Sequence, residues 1–221
     1  MNITQHPLPP EQYLPTKTDK IQVVLHHTAG GSNPVQVVDT WAADPSRIAT
    51  PYVIGGMSTK GDAQYDGVVV KAFDPECDAF HLGEVHGGPA NITRSTFGIE
   101  ICNWGYLTES NGQYITYTGR AVPADQVVDL GFAWRGYQYW HAYTDAQIAT
   151  LHDLLIALIQ KRFKWDYTAK TWDVSSFEFD PAKFSADRIG THVNYRQDKT
   201  DCSCQPKLIA MLNGLNAELA G

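Results

Sequence analysis

Cysteine is scarce, with four in 221 residues. That is too few for a scaffold stapled by disulfides, and a chain this long can bury a core without them. Basic residues are few as well: Lys and Arg total 17 against 24 Asp and Glu, a net charge of −7. A sequence-independent nucleic-acid binder needs a basic stripe to displace counterions, so this balance argues against nucleic acid as a partner. No basic amphipathic stretch is offered to an anionic membrane surface, and no run of about 18 apolar residues is present to span a bilayer. The opening residues Met1 to Pro7 hold neither a basic region nor an apolar one, so no secretory signal is read and synthesis in the cytoplasm is expected. Repeats and low-complexity tracts are also missing. What remains is an ordinary globular mixture, 43% apolar and 19% charged, expected to fold as one domain over residues 1–221.

Residues 1–20 carry Pro7, Pro9, Pro10 and Pro15 and read as an extended arm. Ile21 to Leu25 is β-branched and ends before the turn cluster Gly30 to Asn33, which marks a buried strand. Asn33 as N-cap, Pro34 at the first helical position and Gln36 at the third then open a helix with Val35, Val38, Trp41 and Ala42 on one face. Tyr52 to Ile54, Gly67 to Val70 and Thr96 to Cys102 read as strands. Thr144 and Gln147 make a capping box for a helix from Asp145 to Phe163, with Ile148, Leu151, Leu155, Leu158 and Ile159 at helical spacing. A last helix begins at Pro206. Strands and helices interleave, so the expected fold class is α/β, a central mixed sheet flanked by α-helices. Segments 103–143 and 164–188 are aromatic-rich and poorly periodic and read as insertions whose fold the pattern does not give. The aromatic cluster Trp134, Tyr137, Tyr139, Trp140 and Tyr143 is expected mainly to pack the first insertion, with a groove wall as the alternative.

Side chains alternate faces along a strand. Ile21, Val23 and Leu25 share one face, which leaves His26 on the other. Phe97, Ile99 and Ile101 share a face, with Glu100 opposite. A solvated sheet face would produce the same pattern. Near the C-terminus, however, Thr191 to Cys202 gathers His192, Asp198, Lys199, Asp201 and Cys202. Such a segment is often an ordinary surface loop, yet His nitrogen and carboxylate oxygen are also normal Zn²⁺ ligands.

Four segments occur together in a familiar order: Leu25-His26-His27-Thr28-Ala29-Gly30, Phe97-Gly98-Ile99-Glu100-Ile101, Tyr143-Thr144-Asp145-Ala146-Gln147, and Gly190-Thr191-His192 followed by Lys199-Thr200-Asp201. In this the chain resembles the zinc-dependent type-2 N-acetylmuramoyl-L-alanine amidases, the family of phage lysozyme-like amidases and peptidoglycan recognition proteins. The resemblance spans roughly residues 20–215 apart from the insertions. It implies a shallow groove holding one Zn²⁺ on His26, His192 and Asp201, with Cys202 as the neighbouring alternative for the third ligand. The family's Pro-Gly-Pro after the aspartate is replaced here by Cys202-Ser203-Cys204-Gln205-Pro206. Two neutral imidazoles and a carboxylate leave a site charge of about +1, which polarises a carbonyl and acidifies water. The resemblance also makes Glu100 the acid–base group and Lys199 the oxyanion partner. It sets Tyr52 beside the metal and His81 against substrate.

The implied activity is hydrolysis of the amide between N-acetylmuramic acid and L-alanine in peptidoglycan. The substrate would be intact wall, for a phage or prophage lysin, or a soluble muropeptide. The competing readings are a peptidoglycan-binding module without catalysis and a zinc peptidase cutting within the stem peptide.

Overall fold

The computed structural model describes residues 2–86, 88–89, 92–165, 177–184 and 188–220. Among the described residues thirteen strands fall into three sheets. The first six strands are β1 (Ile3–Gln5), β2 (Leu14–Lys17), β3 (Gln22–His27), β4 (Tyr52–Ile54), β5 (Val69–Lys71) and β6 (Cys77–Asp78). They are followed by β7 (Thr96–Ile101), β8 (Tyr106–Ser110), β9 (Gln113–Thr116), β10 (Ala121–Val122), β11 (Val127–Trp134), β12 (Tyr137–His141) and β13 (Arg188–Thr191). The helices are α1 (Pro34–Ala43), the single turn α2 (Ile92–Ser95), α3 (Asp145–Ile156), the short α4 (His192–Tyr195) and α5 (Pro206–Ala220).

The main sheet has the order β1-β5-β4-β7-β3-β13. It is mixed, because β4 and β5 run antiparallel while the other neighbours are parallel. The expected α/β class is therefore the observed one. On one face Val23, Leu25, Ile54, Phe97, Ile99 and Ile101 pack against Leu151, Leu155 and Leu158 of α3 and its extension and Leu208, Leu212 and Leu215 of α5. Burial of this apolar stripe is what holds both helices to the sheet. The opposite face is shared. Val53 and Val70 pack beneath Val38 of α1, and Val24 packs with Leu82 and Tyr195.

The helix starts follow their caps. Asn33 Oδ1 accepts from the amides of Val35 and Gln36, and Thr144 and Gln147 form the reciprocal capping box of α3. The expected helix over 145–163 is α-helical to Ile156 and continues as a π-helix through Ala157–Phe163, closed by Lys164 at φ 53°. The N-terminal arm is extended but not free: Ile3–Gln5 is the outermost strand of the main sheet, and Leu14–Lys17 pairs with β6.

The first insertion is a second, five-stranded antiparallel sheet, β10-β9-β8-β12-β11. Its periodicity was hidden because Trp134 and Trp140 face the main core while Tyr137 and Tyr139 stay half-buried, so large aromatics occur on both faces. Packing is thus the role of the aromatic cluster. Of the second insertion, residues 166–176 and 185–187 lie outside the described residues. Its described part includes buried Phe177 and Phe184.

A polar seam joins the sheets. Asn103 Nδ2 donates to the carbonyls of His141 (2.9 Å) and Ala142 (3.2 Å), and Gln205 Nε2 donates to His141 O at 2.8 Å. His27 and His141 are buried along it, and burial pulls both imidazoles from 6.5 down to about 4. Above pH 6.5 both are neutral whether the chain is folded or not, so they cost nothing. Below it the unfolded chain takes protons that the folded one refuses, and stability falls until about pH 4, by up to about 1.4 kcal/mol per pH unit for each group. His141→Gln should therefore flatten the pH dependence of unfolding free energy between pH 6.5 and 4, measured by denaturant titration. An unchanged slope would show that His141 takes up its proton in the folded state.

Candidate metal and catalytic site

Parallel pairing of β3 with β7 sets His26 beside Glu100, and Glu100 in turn faces Val53 of β4. All three point away from the helix-packed core, as the alternation of faces requires. Gly98, two residues before Glu100, makes room on this face. A Cβ there would lie 2.4 Å from Thr50 Cγ2 and 3.2 Å from both His26 Cδ2 and His81 Nδ1.

His192 arrives from the next strand. β13 ends at Thr191, which caps the short α4 through a capping box with Asn194, so His192 is the first helical residue. The chain then turns back, and the Val193 amide donates to Asp201 O at 3.1 Å. That bond brings Asp201 to His192 across nine residues. His26 Nδ1, His192 Nδ1 and Asp201 Oδ2 form a triangle with sides of 3.1, 3.1 and 3.0 Å.

The tautomers follow from the partners behind each ring. Thr96 Oγ1 donates to Ile92 O (3.0 Å), so toward His81 Nε2 at 2.9 Å it accepts. His81 Nδ1 is then bare and accepts from His26 Nε2 at 3.0 Å, which leaves His26 Nδ1 as a lone pair. His192 Nε2 donates to Leu82 O at 3.2 Å, which turns its Nδ1 toward His26 Nδ1 and Asp201 Oδ2. Burial, with the charge of His192 adding, holds His26 down at about 4, so the ring is neutral near pH 7. Burial alone would raise Asp201, but His192 and His26 reverse this and hold its carboxyl well below the ordinary range. Three atoms that can each offer a lone pair face one point. This donor set fits a cation, and His26, His192 and Asp201 together can hold a metal ion. Ligands about 2.0–2.2 Å from a tetrahedral ion stand about 3.3–3.6 Å apart, slightly wider than the triangle.

Glu100 borders this point. Its Oε2 is buried with no hydrogen-bond partner among the described residues. Burial, with the negative charge of Asp201 adding, raises its carboxyl well above the usual range, against the opposing charge of Lys199. A carboxylate with raised affinity for protons and an unoccupied acceptor is suited to take one from water. Lys199 lies close enough for its charge to bear on both Glu100 and His26. Glu100 also lines a groove of about 520 Å³ that runs between α1 and the second sheet.

Of the seven site residues expected from sequence, His26, His192, Asp201, Glu100 and Lys199 are brought together. Tyr52 is not beside the ligands. Its partner in register is Ile99, so it shares the apolar face and is buried in the core, where burial pushes its hydroxyl up to about 12. The expectation for Tyr52 is corrected by that parity. His81 is likewise buried behind His26 rather than presented to the groove, so it orients a ligand ring. Cys202 belongs to the core cluster, and all four cysteines are free. Sequence reasoning missed Thr50, Thr96, Trp104 and Arg120. Only their tertiary placement links them to the site.

A central mixed sheet thus carries a His-His-Asp cluster that could hold a metal ion, with a carboxylate beside it. The family model for N-acetylmuramoyl-L-alanine amidase matches residues 18–204, and the chain belongs to that family. Among solved structures, the PlyG catalytic domain superposes with a TM-score of 0.55 at 10% identity, covering 100% of this chain and 97% of that one. An AmpD derivative gives 0.52 at 16% identity, covering 96% and 93%. The N-acetylmuramyl-L-alanine amidase AmiD from E. coli, in complex with the substrate anhydro-N-acetylmuramic acid-L-Ala-D-γ-Glu-L-Lys, gives 0.51 at 16% identity, covering 88% and 57%. At these identities the likeness is one of fold. A search among curated protein sequences returns no match. The family assignment supports peptidoglycan amidase activity, and no helix among the described residues is long and apolar enough to cross a membrane.

Proposed function

We propose that this protein is a zinc-dependent hydrolase that cuts the amide between the lactyl group of N-acetylmuramic acid and L-alanine. The observation that carries the reading is the convergence of His26 Nδ1, His192 Nδ1 and Asp201 Oδ2 beside Glu100 Oε2, which has no hydrogen-bond partner among the described residues. Two nitrogens and one carboxylate oxygen, with a position left open, suit a catalytic Zn²⁺. Bound there, the ion would polarise the scissile carbonyl and make water more acidic.

The chain's own groups do the rest. Glu100 takes a proton from the attacking water as its oxygen bonds to the carbonyl carbon. The same carboxyl then hands that proton to the amide nitrogen as the C–N bond breaks, which releases a neutral amine and a carboxylic acid. Lys199 offers its charge to the oxyanion that forms on the way. His81 and Thr96 hold the His26 ring, and Leu82 O holds the His192 ring, so neither lone pair can turn away.

Soluble anhydro-N-acetylmuramic acid-L-Ala-D-γ-Glu-L-Lys and intact sacculi are both suitable test substrates, and their relative rates separate a recycling amidase from a lysin. Hydrolysis of sacculi should free L-alanine amino groups without new reducing ends, because Glu100 is the one carboxylate among the described groove-lining residues and a glycosidase uses a pair. Amino-group analysis and a reducing-sugar assay on the same digest check this. Reducing ends rising with solubilisation would indicate a glycosidase, and new amines on a residue other than alanine would indicate a peptidase.

A further inference from the structure

The groove beyond Glu100 has two unlike walls. One consists of the loop after β3 and the exposed side of α1, including Asn33, Gln36 and Thr40. The other is supplied by the second sheet, through Trp104 and Arg120. Arg120 closes the tip of the β9–β10 hairpin, where its amide donates to Thr116 Oγ1 at 3.0 Å. Tyr117, at the same tip, reaches across and donates its hydroxyl to Ala29 O at 2.9 Å, tying the hairpin to the loop that follows His26 and His27.

The guanidinium of Arg120 lies over the Trp104 indole, 5.2 Å from its centroid. Among the described residues it has no hydrogen bond and no ion pair, although acidic residues outnumber basic ones in the chain. It is the one cation among the described groove-lining residues, and Glu100 is the one anion. A guanidinium resting on an aromatic face keeps its N–H edge free for a planar acceptor. A chain of net charge −7 repels acidic peptides at long range, so an acidic substrate needs a local positive point.

We propose that Arg120, shelved on Trp104, is a carboxylate-binding position of the groove. It selects stem peptides whose second residue keeps a free α-carboxylate. The inference rests on the amidase reading, under which the stem peptide leaves the scissile bond along this groove. In an L-Ala-D-γ-Glu stem the chain continues through the γ-carboxyl, so the α-carboxylate stands free one residue past the cut. An Arg–carboxylate pair formed there is charge-assisted and can be bidentate.

The test compares N-acetylmuramoyl-L-Ala-D-γ-Glu-L-Lys with the same compound carrying an α-carboxamide on the glutamate. Wild-type protein should prefer the acid by about tenfold in kcat/KM, mainly through KM. Arg120→Gln should bring the ratio of acid to amide close to one, and Arg120→Lys should restore part of it. Thermal melts of all three proteins control for folding. Equal use of both compounds by the wild type, or an undiminished preference in Arg120→Gln, would overturn the proposal. Wild-type protein that binds both compounds and cleaves neither would instead overturn the amidase reading, and the ratio of the two affinities in calorimetry would still decide the role of Arg120.

Discussion

Glu100→Gln lowers turnover by roughly 10²–10⁴-fold, the usual worth of a positioned acid–base group, while metal content and binding to peptidoglycan persist. Three observations lead to this expectation. Glu100 lies in register with His26 but is not a corner of the His26–His192–Asp201 triangle, so its amide analogue leaves the ligand set intact. Its side chain faces away from the core that holds Phe97, Ile99 and Ile101, so the change opens no cavity. Its Oε2 gives up no hydrogen bond among the described residues. The glutamine has the same size and cannot accept water's proton near neutral pH. Turnover on sacculi, elemental analysis and a pull-down with sacculi measure the three consequences together. Wild-type turnover would remove Glu100 from the mechanism, and loss of the metal would make it a ligand.

Asp201→Ala should cost more than about 100-fold in metal affinity, beyond the 10–100-fold typical of residues that only orient ligands. It removes the one anionic corner of the triangle and leaves two neutral imidazoles to hold a divalent cation. The backbone bond from Val193 N to Asp201 O does not involve the side chain, so α4 and its loop should keep their shape. Cys202→Ser should retain the metal. Cys202 is fully buried with the core residues, and burial raises its thiol well above the usual range, which disfavours the thiolate that a metal requires. Chelation of the wild type should abolish hydrolysis, and added zinc should restore it. A Cys202→Ser protein that elutes metal-free would exchange the roles of these neighbours, and full activity in verified metal-free wild type would refute metal dependence altogether.

Both expectations use a pattern that is visible in one dimension. Residues that alternate in a strand must fall on opposite faces, so the sequence already separated His26 from Leu25 and Glu100 from Ile99. The caps at Asn33 and Thr144 were equally legible, because they depend on atoms only two or three residues apart. Tyr52 shows where this logic stops. Whether a strand residue faces the site depends on its register with the neighbouring strand, and the pairing of Tyr52 with Ile99 is a long-range fact.

The second sheet was hidden for a related reason. Hairpin strands bury residues according to what covers them, and Trp134, Trp140, Tyr137 and Tyr139 break simple alternation because one face meets the main core and the other is partly open. From sequence alone, therefore, came the α/β class, the helix starts and the His, Glu, Lys and Asp set, all of which rest on local periodicity, capping chemistry and motif order. Tertiary structure decided which lone pairs meet, that His81 stands behind His26, and that Arg120 and Trp104 reach the groove. These depend on contacts between segments tens of residues apart, whose geometry is set by packing and strand register.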